Sequence, residues 1–185
     1  MYIIFDTETT GLPRNWNAPI TDTDNWPRAI QIAWQLHDLD GNLIEAKDFL
    51  VKPEGFDIPY DAERIHGIST QLAVEMGEDA AAVFQLFNEA LGKATFVVGQ
   101  NVGFDKNIMG SEFIRFGIEN RLQEMPVLDT CTEITANLCQ IPEVVVENSN
   151  YQRFPNFTIT CLINRLRKHT TPLPMWKQQP VVFSN

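Results

Sequence analysis

The stretch that decides the fold is residues 2–12, YIIFDTETTGL. Residues 2–5 are aromatic or β-branched, the residue types that favour strands. The polar run behind them ends in Gly11 and is typical of a turn. We therefore predict a short buried strand that emerges into a polar turn carrying two acids, Asp6 and Glu8.

The elements that follow this strand predict an α/β domain. Three further strands are predicted over 29–36, 43–51 and 95–98. Capping residues and helical spacing predict four helices: one from Ser69 or Thr70 to Gly77, one burying Ala80, Phe84, Phe87 and Leu91, one opened by Asn101 with Phe104, Ile108 and Phe113 or Ile114 inward, and one from Thr130 to Pro142. This order predicts a mixed sheet flanked by helices, antiparallel at first and parallel where helices intervene.

The charge of the chain argues against simple electrostatic tracking along nucleic acid. The sequence has 14 Lys and Arg against 24 Asp and Glu, a net charge of −10. Proteins that follow a duplex by neutralising phosphates are normally basic. Any contact with nucleic acid therefore needs a local source of positive charge, such as bound divalent metal.

Other composition signals exclude several classes of protein. The apolar runs are shorter than a membrane span, and the N-terminus has neither a basic region nor a cleavable apolar segment. We therefore expect a cytoplasmic protein without membrane association. Its three cysteines are widely spaced without a CxxC pair, which excludes a disulfide framework or a cysteine zinc site.

Two pairs of polar residues follow predicted strands. Asp6 and Glu8 are two apart and so share one face at a strand end, where α/β sheets bind ligands. Adjacent carboxylates repel unless a cation lies between them, and their hard oxygens suit Mg²⁺ or Mn²⁺. Asn101 and Asp105 are four apart on one helix face. Each pair alone also fits a structural role: a solvated strand end, and a helix cap with an acid favoured by the helix dipole.

Taken together, these segments resemble the DEDD exonuclease superfamily, particularly the epsilon-like proofreading-subunit branch of bacterial DNA polymerase III and its stand-alone relatives. The segments that carry the resemblance are 6–12, DTETTGL; 25–28, NWPR; 65–69, IHGIS; and 101–105, NVGFD. The resemblance covers residues 1–155 and implies a ribonuclease-H-like fold. It also implies a 3′→5′ exonuclease that acts on single-stranded DNA or RNA 3′ ends, with a DNA polymerase subunit as a candidate partner.

The resemblance implies metal ligands. Asp6, Glu8 and Asp105 would be three of four carboxylates that bind two divalent ions, Mg²⁺ or Mn²⁺. Such a pair of ions activates a water and stabilises the leaving oxygen at a phosphodiester. The acidic net charge is then understandable, because metal ions rather than lysines meet the phosphate.

The resemblance also implies substrate contacts at Thr9, Gly11, Leu12, His66, Asn101 and Phe104. The backbone of the first three would hold the terminal nucleotide. Phe104 would pack against its base or sugar, the alternative being core packing. His66 would have a phosphate-contact or structural role, and Asn101 would be a helix cap or a hydrogen-bond donor to substrate.

The third motif of this family is missing from its expected place. In the histidine branch it is a His, four residues and an Asp on a final helix, where the His is the general base and the Asp completes the metal site. Here Met175 stands near the required distance from His169, and residues 156–185 contain no acid. Pro172 and Pro174 also exclude a regular helix there.

We therefore predict an exonuclease domain over 1–155 and an atypical tail over 156–185 in place of the family's final helices. Two origins stay open for the tail: translation one base out of frame, and natural divergence. Met175 and Trp176 each have a single codon, which ends in G, so the shifted reading at this point is Val-Glu, and both residues suit the family helix. We expect little nuclease activity, and the alternative function is a non-catalytic nucleic-acid-binding or polymerase-associated module.

Overall fold

The computed structural model describes residues 1–131 of the chain, which form a five-stranded sheet with four helices. The strands are β1 (Tyr2–Thr9), β2 (Ala29–His37), β3 (Leu43–Leu50), β4 (Phe96–Gly99) and β5 (Val127–Asp129). The helices are α1 (Tyr60–His66), α2 (Thr70–Met76), α3 (Ala80–Lys93) and α4 (Val102–Arg115), followed by one 3-10 turn, Leu122–Glu124. Within this part of the chain, no helix has the length and apolar character needed to cross a membrane.

The sheet is mixed, in the order β3-β2-β1-β4-β5. β2 pairs antiparallel with both β1 and β3, whereas β4 pairs parallel with β1 and with β5. The predicted mixed sheet is therefore confirmed. Because β1 and β4 are parallel, the carboxyl end of β1 lies on the same side of the sheet as the β4–α4 turn.

Three elements differ from the prediction. β1 continues through Thr9, because Asp6, Thr7 and Glu8 pair with β2 instead of forming a turn. The helix α1 was not predicted; it begins after Pro59 and ends at Gly67, whose left-handed conformation closes it. β5 was not predicted either, since three residues carry too short a pattern. Beyond Cys131, the helix predicted from Thr130 to Pro142 lies outside the described residues, as does the predicted boundary at residue 155.

The core lies between the sheet and the helices α3 and α4. The Phe5 ring of β1 meets the Phe87 ring of α3 at a centroid distance of 5.0 Å, and Phe87 stacks on Phe113 of α4 at 6.2 Å. The four predicted inward residues of α3 are all buried. In α4, Phe113 is buried whereas Ile114 is 40% exposed, which decides between the two alternatives. This aromatic core fixes both helices on the Phe5 face of β1.

Gly99 sets the spacing between β4, β1 and α4. A Cβ at this position would lie 2.8 Å from Val102 Cγ2 and 3.1 Å from the carbonyl oxygen of Phe5. The first distance is shorter than real Cβ contacts and the second is tight, so a side chain at this point would force Val102 or the neighbouring backbone to move.

Candidate active site

The carboxyl end of β1 presents two acids on one face. Side chains alternate along a strand, and here Phe5 and Thr7 are buried whereas Asp6 is exposed and Glu8 half-buried. The acids therefore point away from the aromatic core.

Asp105 reaches β1 from the first turn of α4. It is buried, and its Oδ1 accepts hydrogen bonds from the Thr7 N–H at 3.0 Å and from the Thr7 hydroxyl at 2.6 Å. β4 pairs with β1 only at Tyr2–Ile4. The Asp105 carboxylate therefore accepts from a backbone N–H of β1 beyond the last β1 residue that pairs with β4. Its two hydrogen bonds to Thr7 hold the first turn of α4 against β1.

Asp105 lies in an environment that opposes its charge. Burial raises the pKa of its carboxyl well above the ordinary value, and the negative charge of Asp6 raises it further, whereas the Thr7 bonds act in the other direction. No ion pair within residues 1–131 involves Asp105. Two acids from distant parts of the sequence are thus close enough to repel.

The oxygen donors suit a hard divalent cation, because a cation would relieve the repulsion between Asp6 and Asp105. Within residues 1–131, however, no group of three or more His, Cys, Asp or Glu side chains is arranged to hold a metal ion. The three-carboxylate ligand set, which adds Glu8, therefore stays a prediction.

The predicted nucleotide-binding backbone forms a tight turn directly after β1. The Thr9 hydroxyl donates to the Gly11 carbonyl at 2.7 Å. Gly11 has φ +147°, a conformation that side-chain-bearing residues rarely adopt. Leu12 follows with 71% of its surface exposed. The turn therefore presents an apolar side chain to solvent.

His66, at the end of α1, lies beside Thr9. Its Nδ1 accepts from the Ile68 N–H at 3.0 Å, so the neutral ring carries its proton on Nε2. Burial lowers the pKa of His66, while Glu63 and the Thr9 carbonyl favour the protonated ring. Nε2 is buried and makes no well-aligned hydrogen bond within residues 1–131.

Asn101 begins α4, as predicted, but its side chain makes no capping hydrogen bond. Asn101 therefore occupies the predicted cap position of α4, and its role as a hydrogen-bond donor to substrate stays a prediction. The residue has φ 52°, in the left-handed region, and its N–H donates to Asp129 Oδ1 at 2.9 Å. A backbone turn held by β5, rather than a side-chain cap, starts the helix.

Phe104 is half-buried and packs against the core. Its ring also meets the Trp16 ring at a centroid distance of 5.6 Å. Trp16 belongs to the loop after β1 and is 39% exposed. Both predicted roles of Phe104 thus stay compatible with its position at the margin of the core.

Glu112 occupies a different environment, farther along α4. It is fully buried, and its Oε1 accepts from Arg28 Nε and from the Ala29 N–H, each at 2.9 Å. Arg115 Nη1 lies 3.1 Å from the same oxygen. Burial lowers the pKa of Arg115, which Glu112 opposes. Arg115 Nη2 also donates to the carbonyls of Thr23 and Trp26, so the cluster ties the loop after β1 to α4.

A sequence comparison decides the family. The profile of the RNase T exonuclease family matches residues 3–138. The chain belongs to this exonuclease family. The resemblance to DEDD exonucleases drawn from the sequence is thereby confirmed.

Individual relatives of this exonuclease chain are distant. The PolC-type DNA polymerase III of Pediococcus pentosaceus is 29% identical over 131 residues, which are 71% of this chain and 8% of the relative. The E. coli Exonuclease I complex with a dT13 oligonucleotide matches at TM-score 0.59 and 24% identity, over 80% of this chain and 32% of that one. A product-bound exonuclease I structure matches at TM-score 0.61 and 23% identity, over 86% and 37%. The structural likeness confirms the ribonuclease-H-like fold, and this chain spans about a third or less of each relative.

Three residues of the candidate site were not predicted from the sequence. Thr7 lies between the two acids and is the residue that holds Asp105; its position between them was its only signal. Trp16 sits in a loop without periodicity, and Asp129 ends a strand of three residues. Neither of these two carried a pattern that could have identified it.

Proposed function

We propose that this chain is a metal-dependent 3′→5′ exonuclease domain that hydrolyses phosphodiesters at single-stranded DNA or RNA 3′ ends. The observation that carries the proposal is the meeting of β1 and α4, where Thr7 holds Asp105 beside Asp6. Asp6, Glu8 and Asp105 would bind two divalent ions, Mg²⁺ or Mn²⁺. When bound, these ions supply an activated water and charge stabilisation of the leaving oxygen.

The other residues orient the substrate. Thr7 keeps the Asp105 carboxylate in place through two hydrogen bonds, which lowers its freedom to rotate. The turn at Gly11 and Leu12 would receive the terminal nucleotide, with Phe104 against its base or sugar. His66, next to the Thr9 carbonyl, would contact a phosphate or support the turn.

Two relatives support the substrate and partner classes. E. coli Exonuclease I forms complexes with dT13 and dA16 oligonucleotides, which favours single-stranded DNA as the substrate of this chain. The PolC-type relative is a DNA polymerase, which favours a polymerase subunit as a partner of this chain.

We also propose that the activity of the 185-residue chain is weak. The exonuclease domain would end at residue 155, and the tail over 156–185 contains no acid to complete the metal site. The alternative function, a non-catalytic nucleic-acid-binding or polymerase-associated module, is favoured by the same absence of acid and by the lack of a three-ligand metal group within residues 1–131.

The test is shortening of a 5′-labelled single-stranded oligonucleotide by the purified chain. We expect slow shortening from the 3′ end with Mg²⁺ or Mn²⁺, no shortening with EDTA, and no shortening by Asp6→Asn. Asp40→Asn, which removes an equal charge in the exposed β2–β3 turn, is the matched control. Equal shortening by the wild type and Asp6→Asn would contradict the proposal.

Calorimetry separates the exonuclease from the alternative. Binding of two Mn²⁺ per chain in the presence of a mononucleotide supports the exonuclease. Oligonucleotide binding that needs no metal, with no shortening at any metal concentration, supports the non-catalytic module.

A further inference from the structure

A cavity of about 420 Å³ adjoins the turn at Gly11 and Leu12 and is lined by three arginines, Arg14, Arg28 and Arg115. We propose that this arginine pocket binds a phosphate of the nucleic-acid strand. The inference deepens the proposed function and rests on it, because the neighbouring turn is the proposed place of the terminal nucleotide.

The charge of the arginine pocket is opposite to that of the whole chain. Asp24 is the acid among the lining residues of the pocket. Glu112, which pairs with Arg28 and Arg115, contributes a second negative charge. Three guanidinium groups against two carboxylates leave a local positive charge in a chain of net charge −10. An anion is therefore attracted to this cavity in preference to most of the surface.

Arg28 is held in place before any ligand arrives. Its Nε is bound to Glu112 at 2.9 Å, and its guanidinium lies 4.5 Å from the centroid of the Phe56 ring. Within residues 1–131, its two terminal nitrogens make no hydrogen bond. A planar guanidinium with unused donors and a fixed orientation suits the paired oxygens of a phosphate.

Arg14 and Arg115 contribute differently. Arg115 Nη2 donates to the carbonyls of Thr23 and Trp26, so the role of this residue is mainly structural. The Arg14 side chain is exposed and makes no ion pair within residues 1–131. Arg14 can therefore move to a phosphate at little structural cost, and it is the residue that isolates binding from stability.

The phosphate has two candidate sources with the same chemistry. One is an internal phosphodiester of the strand whose 3′ end lies at the turn. The other is the 5′-phosphate of a released mononucleotide. Both place a nucleotide next to Leu12, and both match the guanidinium donors of the arginine pocket.

The test is fluorescence anisotropy of labelled oligo-dT with the full chain in EDTA, repeated over a range of salt concentrations. Each phosphate contact on a single strand adds about 0.7 to the slope of log affinity against log salt. We expect Arg14→Ala to lower this slope by about 0.7 and Lys47→Ala to leave it unchanged. Lys47 is exposed on β3, away from the arginine pocket's lining residues. Each of the two alanine variants removes one positive charge. Arg28→Lys, which keeps the charge beside Glu112 but loses the planar fork, should weaken binding several-fold.

Competition with unlabelled dTMP separates the two sources. Loss of oligo-dT affinity in Arg14→Ala with unchanged dTMP competition assigns an internal phosphodiester, whereas equal loss of both assigns the 5′-phosphate. Equal slopes for Arg14→Ala and Lys47→Ala, or no measurable binding by the wild type, overturn the inference. A changed slope without any cleavage defeats only the exonuclease proposal, and cleavage with equal slopes defeats only the arginine pocket.

Discussion

The helix α4 carries two buried acids in opposite situations. Asp105, in its first turn, is next to another acid, Asp6, and forms no ion pair within residues 1–131. Glu112 lies about 10 Å farther along the same helix and is bound by Arg28 and Arg115. The Glu112 carboxylate is neutralised by two arginines, whereas the Asp105 carboxylate has no basic partner within residues 1–131.

This difference separates a structural acid from a candidate functional one. A buried charge is tolerated when it is paired and hydrogen-bonded, and Glu112 meets that condition with side chains from the loop after β1 and from its own helix. Within residues 1–131, Asp105 receives hydrogen bonds from Thr7 and from its own backbone but no ion pair. This part of the fold therefore does not balance the charge of the ionised carboxylate. A cation is the simplest partner that would do so.

The largest expected effect is on Glu112. Glu112→Gln leaves two buried or half-buried arginines without their carboxylate, which should lower the free energy of unfolding by about 3 kcal/mol. Urea denaturation measures this loss. Glu89→Gln, at an exposed position of α3, is the control and should change stability little. Equal stability of the two variants would mean that the Glu112 cluster is not what anchors α4.

The next effect concerns metal and pH at Asp105. Folding raises the pKa of the Asp105 carboxyl. Its contribution to the free energy of unfolding is therefore fully present below the pKa of the unfolded chain and is lost as pH rises through the pKa of the folded chain. Metal-free Asp105→Asn should therefore lose less stability than the wild type as pH rises from acid to neutral. Mn²⁺ at one hundred times its Kd should stabilise the wild type by about 2.7 kcal/mol and Asp105→Asn much less. Equal thermal shifts of the wild type and Asp105→Asn with Mn²⁺ would mean that Asp105, unlike the arginine-paired Glu112, does not take a cation as its partner.

A smaller effect is expected at Thr7. Thr7→Val deletes the 2.6 Å hydroxyl bond to Asp105 but keeps the backbone N–H bond, at a cost of about 1 kcal/mol. Thr7→Ser keeps the hydroxyl and should restore both stability and the Mn²⁺ response. Failure of Ser to restore them would indicate that the methyl group of Thr7, rather than its hydroxyl, supports Asp105.

The smallest effect tests how the start of α4 is positioned. Asn101→Gly relieves the left-handed strain and should stabilise the chain by about 0.5 kcal/mol, whereas Asn101→Ala should destabilise it. Thermal denaturation measures both. If both substitutions destabilise equally, the Asn101 side chain has a role that its lack of a capping bond does not explain.

Local patterns explain how much of the fold could be predicted. Alternation placed Asp6 and Glu8 on one face, and the helical spacing of Phe84 and Phe87 identified the buried side of α3, because both patterns reside in neighbouring residues. β5 escaped prediction, and β1 runs farther than predicted, because strand pairing with distant segments decided both.

The candidate site was only partly predictable for the same reason. The spacing of Asn101 and Asp105 indicated a helix face but not the strand that the face meets. The bond between Thr7 and Asp105 joins residues 98 apart, and the bond between Arg28 and Glu112 joins residues 84 apart. No single-sequence pattern records such distances, whereas the family resemblance selected the acids without describing what holds them.

The missing side chain at Gly99 has a consequence for how this domain can be inactivated. One added methyl group would contact Val102 and the backbone of Phe5 too closely. The start of α4 would then move away from β1, the strand that Asp105 must contact. Function could then be lost with every acid, arginine and aromatic ring intact. A related sequence that keeps all the polar residues but replaces this glycine is therefore not expected to form the site.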